Sequence, residues 1–311
     1  MKVILHIGAH RTGTTSVQAY MRRNANELGD LGVGFWGPKH TRKGLFSGIQ
    51  PMQGQGLNAA RRARGRIMLQ LEKAAQNGVK TLLVSDENLM GSVRLNLRTG
   101  QLYPDVGARL ARYICGFDGA VDKVVMSVRS LDRYWSSAIA FGVGRGHNLP
   151  TPRRRNAIAG DTRSWRDVIA DVSCAAPKSK IEVIPFEVTA GRVDSLAAVC
   201  VEHGVPRDGA REWLNRAPDA AHLRNLLIQR GDEAGDVPDV QERWNPFDTA
   251  ACAAMRETYA DDMHWLVAGA NGLATLTEKL DPTRVRQTLP HGLRNRGQGH
   301  DKQERRVAHP R

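Results

Sequence analysis

Lys2-Val-Ile-Leu-His-Ile-Gly-Ala-His-Arg-Thr-Gly-Thr-Thr-Ser16 is the stretch whose reading decides the fold. Val3 to Ile7 reads as a buried strand, Gly8 to Gly13 as a tight glycine-bearing turn, and Thr14, Thr15 or Ser16 as the opening of a helix. A helix start leaves its first N–H groups without internal partners and carries a partial positive charge. A strand that runs through a glycine loop into such a start forms an anion cradle, usually for phosphate.

Gly8-x-x-x-x-Gly13 matches the first part of the nucleotide P-loop signature G-x-x-x-x-G-K-[ST]. The spacing alone carries little weight. With 31 glycines in 311 residues, roughly three such pairs arise by chance, and Gly29/Gly34 and Gly292/Gly297 also fit. The context carries the weight: an apolar strand before the loop, hydroxyl residues and a helical pattern after it. The departure from the signature also matters. Thr14 stands where an ATP or GTP site places its lysine, and the cation sits inside the loop at Arg11. Without a Lys-Ser/Thr pair the loop has no obvious magnesium ligand, which disfavours metal-assisted phosphoryl transfer.

Leu5-His-Ile-Gly-Ala-His-Arg-Thr-Gly-Thr-Thr-Ser-Val-Gln18 resembles the 5′-phosphosulfate loop of PAPS-dependent sulfotransferases. Bacterial members of that family read H-I-G-x-x-K-T-G-T-T-x-x-Q, and the likeness continues loosely through Asn24 to Gly32. Arg11 replaces the family's lysine, so the anion-binding cation is kept but cannot give up a proton. The resemblance implies a P-loop NTPase-like α/β fold, with PAPS as sulfuryl donor, PAP as product and no metal. It places the donor on Gly8, Ala9, His10, Arg11, Thr12, Gly13, Thr14, Thr15 and Ser16.

Two further segments extend the resemblance. Val79 to Ser85 is a strong strand signal followed at once by Asp86-Glu87-Asn88, like the S-x-E-N segment of bacterial sulfotransferases. Val124-Val-Met-Ser-Val-Arg-Ser-Leu-Asp-Arg-Tyr-Trp-Ser-Ser137 looks like the family's 3′-phosphate element, an arginine ending a strand and a serine seven or eight residues on. It implies Arg129 with Ser136 or Ser137 as 3′-phosphate ligands; the usual proline after the arginine is absent, and the register stays open. The plain alternative is a strand-end arginine paired with Asp132.

In this reading Arg11 stabilises the leaving phosphate, and Glu87 takes the acceptor's proton. Capping of the next turn by Asp86 or Glu87 is the competing role, and His10 is the other candidate base. The basic run Arg153-Arg-Arg155 would attract an anionic acceptor, or is simply a solvated loop.

The rest of the chain sets bounds. At 41% apolar and 25% charged residues it is globular, with no apolar run approaching a membrane span. Met1 to Ile7 leads directly into a strand with no signal-peptide pattern, which points to the cytoplasm. Cys115, Cys174, Cys200 and Cys252 are scattered and read as reduced thiols. The net charge of +13 suits a polyanionic nucleotide. Aromatics at 5% and the lack of a nucleic-acid motif argue against DNA or RNA.

Strand signals also fall at Leu31 to Trp36, Asp122 to Val128 and Lys180 to Phe186. Helical patterns cover Thr14 to Leu28, Asn58 to Asn77, Tyr103 to Cys115, Ser130 to Phe141, Ser164 to Val172, Val193 to His203, Ala220 to Arg230 and Phe247 to Ala268. Lys39 to Gly56 reads as a mobile loop and Gly142 to Asn156 as an exposed one. The alternation predicts a three-layer α/β sandwich with a mainly parallel central sheet. Residues 1–280 form a single domain in this reading, and 281–311 a basic, disordered tail.

The leading functional expectation is therefore a sulfotransferase acting on a hydroxyl or amine of a carbohydrate or small metabolite. The rivals are a P-loop-like nucleotide kinase and a non-catalytic PAP- or nucleic-acid-binding protein.

Overall fold

The computed structural model describes residues 1–50 and 57–277. Six parallel strands form one sheet: β1 Lys2–His6, β2 Val33–Trp36, β3 Thr81–Ser85, β4 Lys123–Val128, β5 Lys180–Pro185 and β6 Thr275–Leu276. Their order is β2-β3-β1-β4-β5-β6, so β1 lies between β3 and β4. His6 is in register with Ser85 on one side and Val125 on the other. Chain segments leaving β1, β3 and β4 therefore emerge together at one edge of the sheet, where α/β folds bind ligands.

Alternation along the strands separates two apolar layers. Val3, Leu5, Leu82, Val84, Val124 and Met126 face a core with Trp165, Tyr134 and the Val106–Gly116 helix. Ile4, Leu83, Val125 and Ile184 face Val17, Tyr20 and Met21 of the Thr14–Arg23 helix and the Val193–Val201 helix. The expected three-layer α/β sandwich is what forms. No helix among the described residues is long and apolar enough to cross a membrane.

Three local expectations need correction. The helix expected over Thr14 to Leu28 breaks at Asn24, whose side-chain amide donates to the Tyr20 carbonyl at 3.0 Å and the Asp208 carbonyl at 3.1 Å. Lys39 to Gly56 is no loose loop where it is described: Pro38–His40 and Thr41–Leu45 form helical turns. They are held because Thr41 and Arg42 both bond Asp86. Within Gly142 to Asn156, Pro152–Ala159 is a helix capped by the Thr151 hydroxyl, with Pro152 in its first turn. The short β6 was not anticipated. The tail at 281–311 and residues 51–56 lie outside the described residues.

Candidate functional site

The loop after β1 is built to present N–H groups. Gly13 takes a left-handed conformation (φ 83°) ahead of the Thr14–Arg23 helix, which has no side-chain cap and no acidic residue in its first turn. Arg11 is also left-handed, at φ 69°. The N–H groups of Ile7 and Ala9 complete the ladder to Val125 and Ser127 on β4, and the His10 N–H donates to the Tyr103 hydroxyl. The N–H groups of residues 11–16 find no carbonyl acceptor among the described residues. Such a turn of outward amides at a helix start is an anion site.

Beneath it, the buried Thr14 hydroxyl has no hydrogen-bond partner among the described residues, and neither has His6 Nε2. A Cβ on Gly8 would stand 2.8 Å from His6 Nε2 and 3.1 Å from Thr14 Oγ1, so only glycine leaves the cradle open. Thr12 turns inward and donates to the Ala9 carbonyl at 2.6 Å. The loop over Trp213 to Arg216 closes one side: Leu214 N–H donates to Ser16 Oγ at 2.9 Å and Asn215 Nδ2 to Thr15 Oγ1 at 3.2 Å.

The loop opens onto a cleft of about 570 Å³ whose lining includes His10, Arg11, Gly13, Thr14, Thr15, Glu87, Arg129 and Ser137. The candidates separated by 118 residues of chain meet there: Arg129 Nη1 donates to the Arg11 carbonyl at 3.0 Å. Arg11 Nε donates to Ser137 Oγ at 3.0 Å and Nη2 to the Asn215 carbonyl at 2.8 Å. Of the two serines left open by register, Ser137 faces the cleft. Ser136 turns away and donates to the Asp132 carbonyl at 2.6 Å. Gly8, Ala9, Thr12 and Ser16 shape the loop rather than line the cleft. Asp132 pairs with Arg256 at 2.7 Å, so it is not the partner of Arg129.

Neither Arg11 nor Arg129 forms a salt bridge to a carboxylate among the described residues. Burial, then the charges of Arg243 and Arg145, push Arg11 down to about 10. Burial and Arg243 do the same to Arg129, against a smaller opposing effect of the Glu187 carboxylate, also to about 10. Both remain cationic at neutral pH; Arg11 faces other cations and Arg129 faces more cations than carboxylates, an arrangement relieved by an anion. Arg22, Lys39, Arg42, Arg145, Arg216 and Arg243 line the cleft as well, and Glu87 is its one lining carboxylate among the described residues. Sequence reading missed these six. They come from helix ends and irregular segments, and no local pattern marks them as convergent.

The β3 end supplies the acidic residues. Asp86 accepts from Thr41 at 2.7 Å, from Arg42 at 3.1 and 2.6 Å and from the Asn88 N–H at 3.0 Å, so both of its oxygens are engaged and it caps the short turn that follows. Glu87 accepts from Gln18 Nε2 at 3.0 Å and Arg42 Nη2 at 3.0 Å. Burial alone would raise the Glu87 carboxyl; its own backbone N–H and Arg42 outweigh that and hold it below the usual carboxylate range. His10 is held on both ring nitrogens, Nδ1 with the Tyr103 hydroxyl at 2.8 Å and Nε2 with Asn88 Oδ1 at 3.2 Å. Asn88 Oδ1 can only accept, so the ring proton lies on Nε2 and Nδ1 accepts from Tyr103. Burial lowers the His10 pKa, and the neutral ring has no lone pair left for an acceptor proton.

Behind the site, Trp165 Nε1 donates to the Arg129 carbonyl at 2.7 Å and fixes the end of β4. Among the described residues no group of three His, Cys, Asp or Glu side chains is arranged to hold a metal ion. Comparison with family models, curated proteins and solved structures returns no match for the chain.

Proposed function

We propose that the chain is a sulfotransferase that moves a sulfuryl group from PAPS to a hydroxyl or amine of a carbohydrate or small-metabolite acceptor and releases PAP. The observation that carries the proposal is the meeting of Arg11, Arg129 and Ser137 on one cleft beside an uncapped helix start. Two anion-binding positions in one cleft suit a nucleotide with phosphate at both ends of its ribose. The residues fit such a donor. The free amides of residues 11–16 and the partnerless Thr14 hydroxyl would hold the 5′ end, and Arg129 with Ser137 the 3′-phosphate.

PAPS supplies an activated sulfuryl group when bound. Arg11 stabilises negative charge on the departing phosphate oxygen, with the helix start adding to it. A charge-assisted hydrogen bond contributes about 1.5–3 kcal/mol. Glu87, already ionised, receives the proton that the acceptor hydroxyl loses as its oxygen bonds to sulfur. His10 instead positions the loop through Tyr103 and Asn88.

Titration calorimetry with PAP, ATP and a DNA duplex, each with magnesium and with chelator, tests the reading. Sub-millimolar PAP binding in chelator supports it, as does sulfuryl transfer to a sugar hydroxyl. Tighter ATP binding that needs magnesium, or duplex binding that excludes PAP, overturns it.

A further inference from the structure

The positive charge of the cleft is divided between its two ends, and the division identifies the class of acceptor; this inference rests on the donor reading above. Arg11, Arg129, Arg145, Arg216 and Arg243 gather at the end where the donor would lie. Arg11 and Arg145 each place their guanidinium carbon 4.8 Å from the centre of the Phe141 ring. Arg216 stacks on Trp213 at 5.1 Å, next to Asn215, which bonds both Thr15 and Arg11. These cations face a donor with about four negative charges, close to two of them on its terminal phosphate.

The other end is built around Glu87. Its charge is met by Arg42 at 3.0 Å. Gln18, which donates to Glu87, stands one helical turn before Arg22, so both project from the same face of the helix. Lys39 lies three residues before Arg42 on the turns tied to Asp86. Arg22 and Lys39 line the cleft, are exposed, and form no salt bridge among the described residues. None of Arg153, Arg154 and Arg155 lines this cleft; Arg154 donates to the Leu97 carbonyl at 2.9 Å and Arg155 pairs with Asp236 at 2.5 Å.

We infer that the acceptor is anionic, a hydroxyl-bearing molecule with at least one carboxylate or sulfate group, held by Arg22 and Lys39 with its reacting oxygen at Glu87. The donor reading gives neither of these cations a role; Arg42 is shared between Asp86 and Glu87, so Arg22, Lys39 and Arg42 leave this end with one positive charge in excess of its two carboxylates. A neutral sugar would leave Arg22 and Lys39, both on the cleft lining, without an anion.

The test titrates tetragalacturonate, an acidic oligosaccharide, and maltotetraose, a neutral one, into the full chain saturated with PAP. Two partly exposed ion pairs predict that tetragalacturonate binds about tenfold more tightly. The preference should collapse in about 1 M salt, where the Debye length is ~3 Å, and in the double variant Arg22→Ala/Lys39→Ala. Single variants Arg22→Gln and Lys39→Gln, each losing part of the preference, keep the test readable if the double variant unfolds. Equal binding of the two oligosaccharides, or a preference intact in the variants, overturns the inference while leaving the donor reading in place. Failure of PAP to bind at all overturns both.

Discussion

The Arg129 guanidinium donates to the Arg11 main-chain carbonyl at 3.0 Å. This ties the end of β4 to the loop after β1. Among the described residues one of the five N–H groups on Arg129 is taken, its guanidinium packs 4.8 Å from the centre of the Phe186 ring, and the residue lines the cleft. Arg129 thus holds the shape of the phosphate loop as well as offering it a neighbouring charge.

Arg129→Ala should weaken PAP about 10- to 100-fold, the range for losing one or two charge-assisted hydrogen bonds. Adenosine 5′-phosphosulfate, which lacks the 3′-phosphate, should lose only the few-fold attributable to a loosened loop. Calorimetry on both nucleotides checks this, and equal losses would remove Arg129 as the 3′-phosphate ligand.

Glu87→Gln should lower turnover about 10²–10⁴-fold while PAP affinity stays nearly the same. Because the Glu87 carboxyl is held below its usual range, the acid limb of the pH–rate profile should fall below the ordinary value for a glutamate carboxyl. The same depression contributes stability that is present above the unfolded-state pKa and is lost as pH falls through the folded one. Arg42→Ala should move the acid limb upward. A limb unmoved in Arg42→Ala would separate the limb from Glu87.

Gly8→Ala places a methyl group 2.8 Å from His6 Nε2 and 3.1 Å from Thr14 Oγ1. Overpacking of this kind costs about 1–3 kcal/mol. The melting midpoint should fall by several degrees and PAP affinity should drop at least as much as in Arg129→Ala. Gly29→Ala, which meets nothing within 4 Å, should leave PAP binding unchanged.

Trp165→Phe keeps the ring in a fully buried site but removes the donor to the Arg129 carbonyl. The unpaired carbonyl should cost about 1–3 kcal/mol, read as a lower melting midpoint in calorimetry. PAP binding should weaken more than binding of adenosine 5′-phosphosulfate, since the displaced backbone belongs to the residue proposed to hold the 3′-phosphate.

The parts of the molecule legible in the sequence are those fixed by neighbours in the chain. The apolar run at Val3 to Ile7, the glycines at 8 and 13 and the helical spacing after Thr14 interact over a few residues, so their pattern survives in the sequence. The position of Arg129 was legible because it directly follows a wholly buried strand. The Pro152–Ala159 helix was hidden: three arginines mask any apolar stripe, although Thr151 and Pro152 form a helix start of the usual kind. Arg42, Arg145, Arg216 and Arg243 reach the cleft only through tertiary packing, and nothing near them in the chain records it. The choice between Ser136 and Ser137 is a rotation of 100° about a helix axis, which the packing of the Leu131–Gly144 helix decides.

Arg11 and Arg145 both pack within 4.8 Å of the centre of the Phe141 ring, and their mutual repulsion has a thermodynamic corollary. Every polyanion that settles there lifts a penalty borne by the fold, so heat resistance becomes a gauge of occupancy: a ligand at a hundred times its dissociation constant adds about 2.7 kcal/mol. A thermal melt across a panel of nucleotides and sulfated sugars would therefore rank them by fit before any turnover assay exists.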